Sequence, residues 1–341
     1  MMPQVPAVLE NSNVSGESDA QQVEELHRTR DAITAQIRRR VIGQDTVVEH
    51  LLITLFARGH GLFVGVPGLA KTLLIHTLAD VLDLDFNRIQ FTPDLMPSDI
   101  TGTDIIEQNA DGKRSFRFIK GPVFCNILLA DEINRTPPKT QAALLQSMQE
   151  QRVTAGGHTF PLTPPFHVFA TQNPIEQEGT YPLPEAQLDR FMMMLKVDYP
   201  SPSEEIEVVK RTTSTEVATV EKVLSPEKML AFQDLVMRVP VADPLIELAV
   251  RLVRKSRPAD DTTLADVKEF VAYGAGPRAA QHLVMAAKAR AILDGRPAVD
   301  GQDIRALAPV VLRHRIITNF HAEARKITTD DIIQKILDSS K

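Results

Sequence analysis

The 341-residue sequence predicts an α/β fold followed by a smaller, all-helical domain. Three observations predict it. A glycine-rich turn, Gly65-Val66-Pro67-Gly68-Leu69-Ala70-Lys71-Thr72, joins the apolar run Gly61-Leu62-Phe63-Val64 to a segment of helical spacing, Leu73 to Leu82. Further short apolar runs at 86–91, 126–130, 166–171 and 192–197 read as strands, with helical patterns among them. From Ser225-Pro226-Glu227 onward no strand signal is clear, and the spacing is helical.

Strand, glycine-rich turn, Lys-Thr and helix is the layout of a phosphate-binding loop. Backbone N–H groups in such a turn and at the helix N-terminus converge on one anion. Lys71 is placed to reach the β- and γ-phosphates, and the Thr72 hydroxyl to hold Mg²⁺. Glycine is usual just before the lysine, but Ala70 stands there. Its methyl group requires that the residue avoid left-handed backbone angles. Taken alone, the motif also fits an ordinary strand-turn-helix with incidental Gly and Lys.

Composition narrows the class. A hydrophobic fraction of 43% and a charged fraction of 24% fit a soluble globular protein, and the length suggests two or three domains. A net charge of −6 argues against a general nucleic-acid binder. The single cysteine, Cys125, precludes an internal disulfide framework, fits a reducing cytosol and reads as a small buried apolar residue. No run approaches a membrane span, and Met1–Ala20 lacks a basic-then-apolar leader pattern. The expectation is a cytoplasmic protein with no membrane partner.

Residues 1–20 are polar and read as a disordered tail. Val23, Leu26, Ile33 and Ile37 space a helix over about 21–39. The basic cluster Arg38-Arg39-Arg40 at its end reads as a solvated helix terminus rather than a phosphate contact. Val41-Ile42-Gly43-Gln44 opens a second helix to about Arg58; its place before the phosphate loop suits it to wrap an adenine base. Phe86–Phe91 reads as a strand and Thr92–Ile100 as a loop. Thr103–Glu107 and Ser115–Ile119 flank Asn109-Ala110-Asp111-Gly112, a hairpin signal that suits a partner, a pore or a passive excursion.

Asn126-Ile127-Leu128-Leu129-Ala130 reads as a strand buried on both faces. Asp131 and Glu132 then fall at the C-terminal edge of the sheet, where α/β proteins place ligands. Asp131 is placed to bind Mg²⁺ through water and Glu132 to act as general base toward an attacking water. The plain alternative is two acids capping a strand. A helix follows over 137–149, and Gly156-Gly157 centres a second hairpin over 152–161. Strand 166–171 ends at Gln172-Asn173-Pro174, where the Asn173 amide can orient the attacking water or simply make a turn. Arg190 reads either as an arginine finger supplied to a neighbouring subunit or as an ion-pair partner of the adjacent Asp189. The methionines at 192–194 read as core packing in the last strand. A polar helix from Ser203 and the stretch 213–221 connect to helices at 226–238, 243–256, 264–273, 278–293 and 301–313. Gly274-Ala275-Gly276-Pro277-Arg278 opens one of these, aiming Arg278 back at the nucleotide; a surface arginine in a first turn is the alternative.

Together these residues resemble the AAA+ ATPases, and specifically the MoxR family, over roughly 21–317. The Gly65–Thr72 turn resembles Walker A, and Leu129-Ala130-Asp131-Glu132-Ile133-Asn134-Arg135 resembles Walker B. Ala170-Thr171-Gln172-Asn173-Pro174 resembles sensor 1, and Glu185–Phe191 the arginine-finger segment. Gly276-Pro277-Arg278 resembles sensor 2, with Gly276 where Ser is more usual, and Ala70 also occurs in MoxR-like sequences. The resemblance implies a five-stranded parallel sheet with helices on both faces (21–222, with a hairpin insert near 103–119) and a helical lid (223–341). It implies an ATP- and Mg²⁺-dependent ATPase in a homo-oligomeric ring, a hexamer. It also implies chaperone-like remodelling of client proteins or metal-cofactor insertion, with a von Willebrand factor A domain partner. Two other functions stay open: a nucleotide-gated assembly scaffold with little turnover, and a DNA-dependent motor, which the acidic balance disfavours.

Overall fold

The computed structural model describes residues 18–108, 114–175, 179–214 and 218–340. Helix α1 (Asp19–Arg40) starts earlier than its apolar spacing predicts. Ser18 accepts from the Gln21 N–H while the Gln21 side chain reaches back to the Ser18 N–H, a capping box that adds Asp19 and Ala20 to the helix. The predicted tail is thus two residues too long at its end; residues 1–17 lie outside the described residues. The four spaced apolar residues of α1 are its buried face. Its basic end is engaged by carboxylates, with Arg38 on Asp45 at 2.9 Å and Arg40 on Asp80 at 2.5 Å.

The core continues through α2 (Asp45–Phe56), β1 (Gly61–Val64), α3 (Lys71–Val81), β2 (Phe86–Gln90), α4 (Pro97–Thr101), β3 (Gly102–Gln108), β4 (Arg114–Lys120) and β5 (Ile127–Asp131). A 3₁₀ turn (Ile133–Arg135) leads to α5 (Pro138–Glu150), β6 (Arg152–Ala155), β7 (His158–Pro161), β8 (His167–Gln172), α6 (Glu185–Leu188), β9 (Met193–Lys196) and α7 (Pro202–Thr212). Five strands pair in the order β2-β5-β8-β1-β9, all parallel. The inner strands β5, β8 and β1 are buried on both faces, which is why each reads as an unbroken apolar run. The parallel register brings the ends of β1, β8 and β5 to one edge, and the sequence resumes there as Gly65, Asn173 and Glu132.

The stretch 92–100, expected as a loop, contains the start of α4. Pro97 sets the first turn, and the Asp99 carboxylate accepts from the Met96 N–H at 2.8 Å. Strands β3 and β4 form the expected hairpin; its turn, Asn109–Gly112, lies outside the described residues. The second hairpin, β6–β7, leans on the first through stacked Phe118 and Phe160 rings, 4.3 Å between centroids. Met192 and Met193 are buried in the core, as is Cys125, whose thiol burial pushes up to about 12.

The lid comprises α8 (Pro226–Arg238), α9 (Asp243–Lys255), α10 (Ala265–Phe270), β10 (Val271–Tyr273), α11 (Pro277–Leu293), α12 (Gly301–Leu312), β11 (Ile317–Thr318), α13 (Phe320–Ala324) and α14 (Thr329–Asp338). The helix expected over 264–273 ends at Phe270, because Val271–Tyr273 pairs antiparallel with Ile317–Thr318. The helical lid therefore carries a small two-stranded ribbon. A partner strand of two residues is too short to show a period. One apolar cluster runs from Leu26 and Leu52 in the core to Phe232, Leu283 and Ile304 in the lid, so the two units pack as one body. Among the described residues no helix is long and apolar enough to cross a membrane.

Candidate active site

A cleft of about 440 Å³ opens over the C-terminal edge of the sheet. The turn before α3 forms one wall, Asp131 and Glu132 another, and Asn173 closes it. Gly68 has φ +84°, and a Cβ there would meet no atom within 4 Å, so its backbone angle rather than crowding demands glycine. Ala70 is left-handed as well, at φ 54° and ψ 20°. This corrects the expectation that its methyl group requires it to avoid that region: the loop takes the same path and the alanine bears the strain. That strain costs about 1–2 kcal/mol. Ala70→Gly relieves it but loosens the unfolded chain. The expected net is a gain of up to about 1 kcal/mol, a rise of a few degrees in melting temperature. A lower melting temperature would contradict the left-handed assignment.

The Lys71 ammonium folds into the loop, donating to the Gly65 carbonyl at 2.6 Å and the Val66 carbonyl at 2.7 Å. Burial lowers its pKa, and the Asp131 and Glu132 carboxylates oppose that shift. Phosphate oxygens are stronger partners for an ammonium than these neutral carbonyls.

Both carboxylates are held by neighbours, on adjacent strands and in the 3₁₀ turn. Asp131 Oδ1 accepts from Thr171 Oγ1 at 2.5 Å, and Oδ2 accepts from Arg88 Nη2 at 2.7 Å and Nε at 3.1 Å. Thr171 Oγ1 in turn accepts from the Glu132 N–H at 2.8 Å. Glu132 leaves the strand with φ 55° and turns its carboxylate to Gln90 Nε2 at 2.9 Å and Arg135 Nη1 at 3.1 Å. Asn173 is buried and accepts from the Ile175 N–H at 3.1 Å. Sequence reading gave no role to Arg88 and Gln90, nor to Thr171 and Arg135, which it quoted only as members of longer motifs. Arg88 and Gln90 flank buried Ile89 at a two-residue period, a signal that they share a face of β2. Only the pairing of β2 with β5 shows that this face meets the acids.

The three residues expected around the adenine base separate. Ile42 lines a second hollow of about 590 Å³, together with Tyr199, Pro200 and Val310. Val41 is 2% exposed and belongs to the core, so it offers no surface to a base. Gly43 is covered by Glu204, whose carboxylate sits where a Cβ would project. Gln44 ties this segment to the phosphate loop, donating to the Leu69 carbonyl at 3.0 Å.

Neither predicted arginine lines the phosphate cleft. Arg190 makes no ion pair with Asp189; its Nη1 donates to the Leu145 carbonyl. Arg278, expected to point from the lid at the nucleotide of its own chain, is held on Asp189 at 3.2 Å, one residue from Arg190. Asp189 draws it there, and also takes Arg315 at 2.7 Å. Arg315 is a buried residue that sequence reading missed. It donates to the Phe191 carbonyl at 2.6 Å and the Met192 carbonyl at 3.2 Å, fastening the lid to the core. Burial lowers its pKa to about 10 against the pull of Asp189, so it stays charged at neutral pH.

A five-stranded parallel sheet, a phosphate loop and a helical lid define an α/β AAA+ ATPase architecture. Residues 60–193 match the ATPase family associated with various cellular activities (AAA), and residues 264–336 match the AAA lid domain. The chain is 45% identical to the protein named Chaperone MoxR1 of Mycobacterium tuberculosis, over 92% of this chain and 82% of that one. It is 31% identical to the protein named MoxR of Methylorubrum extorquens, over 89% of this chain and 92% of that one. A crystal structure from Cytophaga hutchinsonii, of a protein assigned as an ATPase, superposes with a TM-score of 0.87 at 44% identity, covering 93% of this chain and 96% of that one. The chain belongs to the MoxR family of AAA+ ATPases.

Proposed function

We propose that the chain binds ATP with Mg²⁺ and hydrolyses it in a homo-oligomeric ring, a hexamer, whose turnover remodels or activates client proteins in the cytoplasm. The observation that carries this reading is a division of the machinery. Lys71, Asp131, Glu132 and Asn173 share one cleft, whereas Arg190 and Arg278 sit off it, Arg278 on Asp189 and Arg190 on the Leu145 carbonyl. Cations poised away from their own cleft suit the cleft of a neighbouring copy.

The donors fit the metal: the Thr72 hydroxyl and the Asp131 carboxylate are hard oxygen ligands of the kind Mg²⁺ takes. Held by Thr72 and Asp131, the ion would supply positive charge to offset that developing on the phosphates. Lys71 exchanges loop carbonyls for phosphate oxygens. Glu132 accepts the proton of the attacking water, and the Asn173 amide orients that water. The name of the mycobacterial relative supports the chaperone part of the reading. A von Willebrand factor A domain partner and metal-cofactor insertion rest on the family resemblance alone.

Mixing two inactive variants tests the shared site. Arg190→Ala keeps an intact cleft but lacks the arginine; Glu132→Gln keeps the arginine but lacks the base. Each is expected to be inactive alone, and ATPase activity is expected to return on mixing. Mixtures as silent as their components would remove the shared site.

A further inference from the structure

We propose that Arg88 is an exchangeable counter-cation: it occupies the metal-facing oxygen of Asp131 until Mg²⁺ with nucleotide displaces it, and so sets how strongly nucleotide binding depends on metal. This rests on the reading of the cleft as a Mg²⁺–nucleotide site.

Asp131 has two carboxylate oxygens, and both are engaged. Oδ1 takes the Thr171 hydroxyl, which also carries the Glu132 N–H, so that bond is part of the framework aligning β5 with β8. Among the described residues Oδ2 takes only Arg88, through Nη2 at 2.7 Å and Nε at 3.1 Å. A metal ion reaching Asp131, directly or through its water shell, therefore competes with the guanidinium for Oδ2. Two cations on that one oxygen repel each other, so each weakens the other's hold on it.

Arg88 is built to let go. It lies on β2, an edge strand of the sheet, and its side chain is 47% exposed. A surface guanidinium held to one carboxylate gives up a modest interaction when it leaves, and it remains hydrated. Its other partner, Gln90 Oε1 at 2.9 Å, belongs to the side chain that also holds Glu132. Departure of Arg88 thus frees Gln90 Oε1, while Glu132 keeps its bonds from Gln90 Nε2 and Arg135 Nη1. Before metal arrives, Arg88 neutralises Asp131 and lowers the repulsion an incoming polyphosphate meets in the cleft.

Removing the charge has two opposite effects. Without metal, bare Asp131 repels the phosphates and nucleotide binds more weakly. With metal, the internal competitor is gone and binding is as tight as in wild type or tighter. Calorimetric titration with ADP, in EDTA and in Mg²⁺, gives the ratio of the two dissociation constants. That ratio is expected to rise about tenfold in Arg88→Ala and in Arg88→Gln, the latter retaining a neutral donor for Asp131. Mn²⁺ binding in the presence of ADP, read from loss of the free-ion paramagnetic signal, is expected to reach half-saturation at about tenfold lower metal in both variants. A ratio or half-point unchanged or shifted the other way, in variants that melt like wild type, overturns the proposal. If wild type takes up no nucleotide in either condition, the nucleotide reading itself fails and this inference falls with it.

Discussion

Glu132→Gln is expected to bind ATP within about threefold of wild type while its turnover falls by roughly 10²–10⁴-fold, the range a lost general base commands. That is about 3–5 kcal/mol on the barrier. The separation of binding from chemistry follows from how residue 132 is held. Its backbone is fixed by the bond from its N–H to Thr171, which the side chain does not enter. Glutamine is isosteric and keeps a carbonyl oxygen for Arg135, so the turn into the 3₁₀ segment survives. What disappears is the only group at that position able to take a proton from water. Phosphate release in a single turnover, beside calorimetric binding of ATP, separates the two effects. Loss of binding in step with turnover would make Glu132 a structural residue and leave the base unassigned.

The parts of this site that were legible in the sequence are those set by contiguous residues. The phosphate loop, the acids after an apolar run and the amide after strand 166–171 each lie within a few residues of the pattern that marks them. Arg88, Thr171 and Arg315 act across strands or between units. Arg88 meets Asp131 across 43 residues of sequence, and Arg315 meets Asp189 across 126. Spacing says nothing about such pairs before the sheet order is known. Ala70 failed for another reason: steric preference is a cost of about 1–2 kcal/mol, not a prohibition, and the surrounding loop outweighs it. Arg278 failed because its local signal, a helix first turn after glycine and proline, fixes the backbone and leaves a long side chain free to choose Asp189.

Acidification from pH 7 to pH 5 is expected to destabilise the fold by several kcal/mol, through histidines that neither bind nor catalyse. Burial holds His60 at about 3 and His167 at about 4, with little surface from which to hydrate a charge. His282 is held at about 3, first by burial and then by the Arg315 and Arg278 guanidinium groups. Each ring is committed as a neutral acceptor. His60 Nδ1 accepts from the Val168 N–H at 2.9 Å, His167 Nε2 faces the Gln233 amide at 3.1 Å, and His282 Nδ1 meets Arg315 Nη2 at 2.7 Å. The sign follows from these depressed values. Below the ordinary histidine pKa of 6.5 the unfolded chain takes up protons that the folded chain refuses. Stability is therefore full above pH 6.5 and drains away as pH falls toward 3–4. At pH 5 each group costs about 2 kcal/mol, so three of them consume much of the 5–15 kcal/mol that holds a typical domain. Urea midpoints at pH 7, 6 and 5 measure the loss. His282→Gln, which keeps an acceptor for Arg315 but cannot titrate, is expected to lower the slope between pH 6 and 5 by about 1 kcal/mol per pH unit. A midpoint that stays level from pH 6.5 to 5 would show that these rings take up protons without cost, and that the seam between core and lid is wetter than its packing indicates.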